Sequence, residues 1–385
     1  MLTDEERKND KTKIVMNRLL KRVTALILTM AVVCMIGCKK TDGPDNGGNN
    51  GNNGGNGGET PEAPAIVSTS EVQYDGTVFI EAVFEDESKM YFAIISPTEL
   101  SVANGEFFYQ DNPSLAYKYR GEVIIPETIT HLGTTYTVVA IGYKAFLGCS
   151  LVTSVKIPNP VRFIYGYKNF NIPYSDYIGA FGGCINLLEI NIDNVEHIGE
   201  NSFIGCLCYS ETVTIPNRVK SIGKNAFNAK DIIFNADSCL TAGGWEYSEN
   251  NVFSDIIYYS SFPYMESICF GNSIKTIPQY ICYGHGISQI DIPNSVISIG
   301  ERAFAKCERI TEITLPSSIR QIFEYAFDAN QIVTNISCLA TNPPILGNNV
   351  FGNRSVQLIR VPMSSVEAYK TADGWSRYAD VIVGI

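Results

Sequence analysis

A phrase of the form Ile-Gly-x-x-Ala-Phe returns through this chain at near-constant spacing, and it leaves few folds open. It reads IGYKAF at Ile141–Phe146, IGENSF at Ile198–Phe203, IGKNAF at Ile222–Phe227 and IGERAF at Ile299–Phe304, with a weakened copy, IFEYAF, at Ile322–Phe327. A second phrase of the Ile-x-Ile-Pro type follows about a dozen residues later and ends at Pro158, Pro216, Pro293, Pro316 and Pro362. Pro293 to Pro316 is 23 residues, and so is Phe304 to Phe327. A period in the twenties marks a solenoid of short coils, each of which buries its apolar edge only against its neighbours.

One unit runs IDIPNSVISIGERAFAKCERITEITLP, from Ile290 to Pro316. Ile290 and Ile292 alternate with Asp291, as in a strand with one buried side, and Pro293 ends it by withholding a ladder donor. Asn294-Ser295 predicts a turn. Val296 to Ile299 predicts a second extended segment that Gly300 bends, and a short helical or 3-10 turn is expected through 305–309. The outward positions beside the buried strand residues, such as Glu312 and Thr314 or Asn335 and Ser337, are small and polar. They suit a shallow platform for a protein or glycan as well as a plain solvated sheet.

The combination I-x-I-P-x-x-V-x-x-I-G-x-x-A-F-x-x-C resembles the leucine-rich repeat of the BspA-like, or type 5, class of bacterial surface proteins, over about residues 117–385. The resemblance implies a leucine-rich repeat solenoid, β-rich, with parallel strands on the concave side and short helical or 3-10 turns. The opening segment YKYRGEVIIPETITHLGTTYTVVAIGYKAF resembles the family's first hairpin. The tail with Val361-Pro362, Tyr369, Trp375 and Ile382 resembles its closing cap. Coils are expected around Phe146, Phe181, Phe203, Phe227, Phe253, Phe304, Phe327 and Phe351, with Cys282 standing at the Phe position of a degenerate one. Ile178-Gly179-Ala180-Phe181 reads as a copy that lacks its two spacer residues, and the coil after Phe227 reaches its strand early, at Ile232–Phe234.

The ends carry other information. Arg18, Lys21 and Arg22 precede an apolar run, Val23–Ile36, that is too short for a spanning helix and suits a signal peptide. It closes in Met35-Ile36-Gly37-Cys38, which resembles a lipobox with Cys38 as the lipid attachment point; Met16 is a candidate start. Residues 39–64, centred on GGNNGNNGGNGG, cannot bury enough apolar surface to order themselves and predict a flexible tether. The expected organisation is therefore signal peptide 1–38, tether 39–64, N-terminal β cap 65–120, repeats 121–340, and last repeat with C-terminal cap 341–385. The expected location is the outer membrane, on the cell surface, with the periplasmic face left open and the membrane touched only through the anchor.

The chain carries a net charge of −11. Residues 1–38 hold seven basic and four acidic side chains, net +3, so the chain after them is near −14, which argues against nucleic acid as a partner. Cys149, Cys184, Cys206 and Cys307 each follow a repeat Phe by three residues and read as small buried hydrophobes. Inter-coil disulfides remain open. None of His131, His197 and His285 sits in a nucleophile or metal pattern, so neither enzymatic activity nor a cofactor or metal is expected. The partner is expected to be an extracellular or host protein, or else a glycan. From Pro158 the next strand end near Asp193 is 35 residues away, a dozen beyond the period, and that stretch is aromatic. Insertions in solenoids often carry the ligand site. Tyr165, Tyr167 and Tyr174, with Trp245 and Tyr247 in a second irregular stretch, are the candidate ligand contacts.

Overall fold

The computed structural model describes residues 63–74, 76–103, 119–166, 179–206, 212–247, 256–260, 265–307, 309–330, 333–352 and 356–385. Phe253, expected to mark a coil, lies outside them.

The chain opens with a four-stranded antiparallel meander: β1 (Ile66–Tyr74), β2 (Thr77–Phe84), β3 (Lys89–Ser96) and β4 (Glu99–Ala103). Gly76, at φ 76°, lies in the first turn, and Ser88 N donates to Asp86 Oδ1 at 3.0 Å in the second. The next elements are β5 (Arg120–Ile124) and a hairpin of β6 (Thr128–His131) and β7 (Thr134–Ile141). The hairpin turn, Leu132-Gly133, holds φ of 47° and 80°, and glycine tolerates such values without strain. β4 lies parallel to β7, with Leu100 opposite Val138 and Val102 opposite Ile141. The meander thus occupies the edge where a preceding coil would pair.

From β7 onward the strands form two parallel ladders rather than one sheet. The first is built from the Ile-Gly phrase, and its core positions are Ile141, Ile164, Ile198, Ile222 and Ala242 in register, then Ile277, Ile299, Ile322 and Leu346. A bridge between Thr241 and Gln279 joins the two runs. The second ladder is built from the Ile-x-Ile-Pro phrase, with Val123, Val155 and Ile190, then Val213, Ile232 and Ile268, then Ile313, Ile336, Ile359 and Ile382. Here Thr212, Thr214, Glu312 and Thr314 flank buried neighbours, as the alternation predicted.

The ladder spacing sets the core. Phe146, Phe181, Phe203, Phe304 and Phe327 each donate their N–H across the turn to the residue preceding the next Phe, as in Phe203 to Ala226 O and Phe304 to Ala326 O, both 2.8 Å. Neighbouring rings then stand one strand spacing apart, about 4.8 Å. Phe146–Phe181, Phe181–Phe203 and Phe203–Phe227 stack at 4.8, 5.1 and 4.8 Å, and Phe304–Phe327 at 5.2 Å. All are buried, and each contributes roughly 1.5–3 kcal/mol. Cys282 takes the Phe place as expected, since its N–H reaches Ala303 O at 2.8 Å. Phe270, edge-on to Phe304 at 6.3 Å, fills the ring space that Cys282 leaves.

The return segments of the coils are successive turns, and the described helices fall in the C-terminal segment at Met363–Ser365, Val366–Thr371 and Ser376–Val381. Two residues per coil explain this, because left-handed backbone interrupts any helical run. One lies three after the core Ile (Asn201 φ 55°, Asn225 φ 49°, Arg302 φ 51°) and the other two after the Phe (Gly148 φ 69°, Gly205 φ 75°, Ala329 φ 55°).

The cysteines do more than fill space. Cys184 Sγ donates to Phe146 O (3.0 Å), Cys206 Sγ to Phe181 O (3.1 Å) and Cys307 Sγ to Cys282 O (3.0 Å). Where the repeat substitutes Asn330, its amide does the same to Phe304 O at 2.9 Å. Burial pushes the Cys307 thiol up to about 12, which keeps its proton in place for donation. The described cysteines are free thiols. The tail closes the stack: Tyr369 donates to Ala340 O (2.8 Å), Trp375 Nε1 to Pro344 O (2.8 Å), and Ile382 pairs beside Ile359.

Candidate binding surface

The residue before each first-ladder core position points out of the coil, and register aligns these into a row: Phe163, His197, Ser221, Thr241. Phe163 and His197 stack at 5.2 Å with planes 7° apart, and Tyr165 lies parallel to Phe163 at 6.0 Å. Phe163 and Tyr165 remain 37% and 40% exposed, which leaves ring surface for a ligand. His197 Nδ1 meets Ser221 Oγ at 2.8 Å, fixing the imidazole plane that Phe163 lies against. Tyr165 is one of the candidate ligand contacts read from the sequence; Phe163, although it falls in the long interval after Pro158, belongs to the ladder strand.

Beside the shelf runs a line of charge. Glu196 accepts from Lys220 Nζ at 2.5 Å and stands 3.7 Å from Arg162 Nε. The Lys220 hydrogen bond holds the Glu196 carboxyl below its usual range. Arg162 also donates to the carbonyls of Asn159 and Val161, so the guanidinium is held from two sides. One turn further, Glu200 and Lys224 pair at 3.7 Å. Burial raises the Glu200 carboxyl and lowers the Lys224 ammonium, each moved toward its neutral form against the pull of its partner.

The insertion lies elsewhere than Ile178-Gly179 indicated. The residue that pairs with Ile141 and Ile198 is Ile164, not Ile178. Five positions separate the core Ile from Phe in the regular phrase, against 17 from Ile164 to Phe181, so 12 residues are inserted between strand and turn. Backbone contact is the reason the strand stays in register. An added Cβ at Gly166 would come 2.1 Å from Glu200 N, and one at Gly199 would come 2.0 Å from Gly166 N. The coils touch here main chain to main chain, and a side chain would part them.

A second departure leaves from the corresponding point three ladder steps on, about 14 Å away. Where other coils bend at glycine, the strand Thr241–Tyr247 runs straight on and returns as Ile256–Ser260 in an antiparallel hairpin. Its register sets Trp245 opposite Tyr258 and Tyr247 opposite Ile256. Both departures flank the coils of Ile198 and Ile222. Tyr167, Tyr174 and Cys38 lie outside the described residues.

His285 is buried with its pKa lowered to about 4 by desolvation. His131 Nδ1 meets Thr69 Oγ1 at 3.0 Å and its Nε2 stands 3.5 Å from Glu71, which ties β6 to β1. Among the described residues no group of three or more His, Cys, Asp or Glu is placed to hold a metal ion.

The family model described as "BspA type Leucine rich repeat region" matches residues 124–233, 167–275 and 251–372, in six copies. No curated protein matches the chain. The similar solved structures include three bacterial leucine-rich repeat proteins. One, a leucine-rich repeat protein from Bacteroides ovatus, is 19% identical, with 83% of this chain and 98% of that one covered at a TM-score of 0.25. A leucine rich cell surface protein from Faecalibacterium prausnitzii is 16% identical, with 76% of each chain covered and a TM-score of 0.32. A leucine rich repeat protein of T. pallidum is 16% identical, with 78% and 92% covered and a TM-score of 0.25.

Proposed function

This chain belongs to the BspA-type leucine-rich repeat family, and on that premise we propose that it is a non-enzymatic, adhesin-like binding protein of the cell envelope. In this reading Cys38 carries the lipid, residues 39–64 form the tether, residues 65–120 cap the repeats, and residues 341–385 close them. The outer membrane surface is the proposed location. The ligand is an extracellular or host protein, held on the first-ladder side between the two departures from the repeat.

The observation that carries this reading is the shelf of Tyr165, Phe163 and His197. Half-exposed aromatic rings beside a fixed Arg162–Glu196–Lys220 line are the composition of a protein-binding hot spot. The same rings favour one second reading, capture of a glycan by stacking. It would use Tyr165, with Tyr167, Tyr174, Trp245 and Tyr247 as further contacts.

Three experiments decide. Intact cells are treated with protease and labelled with antibody, and a shielded domain refutes surface display. Glycan arrays are then probed with the parent protein and with Tyr165→Ala, Tyr167→Ala and Trp245→Ala. Saturable glycan binding lost in these variants establishes capture and sets the protein-ligand reading aside. Radiolabelled fatty acid incorporated by the parent but not by Cys38→Ala establishes the anchor.

A further inference from the structure

The coils beyond the hairpin carry a second surface on the same side, and its charges are arranged differently. In the coils of Ile164, Ile198 and Ile222, opposite charges cancel within the chain, through Arg162–Glu196–Lys220 and Glu200–Lys224. In the coils of Ile277, Ile299 and Ile322, the cations Lys275 and Arg320 lie at the strand start and the acids Glu301 and Glu324 at its far end, Glu301 already paired with its neighbour Arg302 at 3.7 Å. Arg320 is held by carbonyls, donating to Ser317 O at 3.0 Å and Ile319 O at 2.8 Å. Among the described residues it pairs with no carboxylate, and Glu324 pairs with no cation.

Between Lys275 and Arg320 in the start column stands Ile297, 44% exposed, and the next outward column is Thr276, Ser298, Gln321 and Ile345. The apolar surface between the charges of the last coils is Phe323 and Ile345, 37% and 68% exposed. Phe323 stands where the repeat has Gly, and Ile345 lies opposite Gln321, diagonal to Phe323 on the neighbouring strand. A strand with the cation Arg320 at its start, the acid Glu324 at its far end, and Phe323 and Ile345 between them complements itself under one symmetry operation. When a second copy is laid face to face about a two-fold axis parallel to the coil stack, strand direction reverses and coil order is kept. Arg320 of each copy then faces Glu324 of the other, and Ile345 faces the open position at Gly347. A two-fold axis along the strands would instead set Arg320 against Arg320.

We propose that a second copy of this chain docks on the first-ladder side of the coils from Ile277 to Leu346, about a two-fold axis running along the solenoid. Size sets the strength. Four strands at about 4.8 Å and five residues at about 3.3 Å give a footprint of roughly 300 Å² in projection. That is well under the ~800 Å² per partner of a standard stable interface. The dimer is therefore weak and concentration-dependent, and it gains weight where copies are crowded on one membrane.

The test is sedimentation velocity of the purified full chain from about 10 to 500 µM, a span wide enough to register weak association. The parent should move from monomer toward dimer. Arg320→Glu should stay monomeric, and Arg320→Glu combined with Glu324→Arg should dimerise again. Phe323→Gly installs the residue that the repeat itself uses there and should weaken the dimer at least tenfold without unfolding the coil. A parent that stays monomeric throughout overturns the proposal and leaves the patch to a foreign protein. An Arg320→Glu variant that dimerises like the parent, or a charge swap that fails to restore the dimer, overturns the stated pairing.

Discussion

Replacing Ala329 by glycine should stabilise this protein, although the same change in most places weakens one. The position two after the repeat Phe is left-handed in coil after coil: Gly148, Gly183, Gly205, Gly284 and Gly352 hold φ between 69° and 76°, whereas Lys306 and Ala329 hold 57° and 55°. An L-residue in that region costs roughly 1–2 kcal/mol. Glycine gives back about 0.4–1 kcal/mol through the freedom it regains in the unfolded chain. Ala329 is exposed, so its methyl contributes little burial. The net expectation for Ala329→Gly is a gain of about 0.5–1 kcal/mol. Gly284→Ala is the mirror experiment. Its φ is 76° and a built Cβ meets nothing within 4 Å, so backbone strain alone acts and a loss of similar size is expected. The two sites lie two coils apart, about 10 Å, and should add, which brings the double variant near the parent. Urea unfolding followed by fluorescence of the buried Trp375, in a Trp245→Phe background, reads the end of the solenoid that contains both sites. If Ala329→Gly loses 0.5 kcal/mol or more, left-handed strain does not govern these turns and the reasoning fails.

Gly199→Ala should cost about 3 kcal/mol, the top of the range for overpacking, because its Cβ would meet the backbone of Gly166 at 2.0 Å; equilibrium unfolding that matches the parent within 1 kcal/mol would contradict the backbone contact. His285 makes stability depend on acid. Burial lowers its pKa to about 4 from the ordinary 6.5, so the unfolded chain takes up a proton near 6.5 that the folded one refuses until about 4. Stability should fall as pH drops through that window, by no more than about 3 kcal/mol, and His285→Gln should show a shallower decline in parallel melts. Cys206→Asn should be tolerated better than Cys206→Ala, since Asn330 already donates to a Phe carbonyl in its own coil; the reverse ranking in urea would return the cysteines to plain packing.

The parts that follow from a local rule were legible in the sequence. The spacing alone put Cys282 at a Phe position, and the alternation in 312–315 gave the buried and exposed sides. What failed depends on a partner in another coil. Ile178-Gly179 imitates the repeat phrase, but ladder pairing chooses Ile164, whose neighbour Tyr165 hides the motif by standing in the Gly place. The thiol donors were invisible for the same reason, because each acceptor is a carbonyl of the preceding coil. The apolar patch left a trace that sequence reading registered only as weakness: the Phe of IFEYAF is Phe323.

The hairpin departs where the solenoid has least to lose. In a stack of coils, stability is close to a sum of terms between neighbours, and an insertion costs least where such a term is already small. Phe rings stack without interruption from Phe146 to Phe227 and again from Phe304 to Phe351. Between the two runs the contacts become edge-on, through Phe234, Phe270 and Phe304 at 6.1 and 6.3 Å. Ala242 there replaces the core Ile, and Cys282 replaces the ring. A strand that runs straight on at Gly243 therefore gives up no large core side chain of the first ladder, where Ala242 stands. The earlier departure, after Gly166, keeps Ile164 and Phe181 in both of their ladders and so leaves the ring stack whole. The two departures thus reach the same side of the molecule by different means, one by sparing the ladder and the other by leaving where the ladder is already broken.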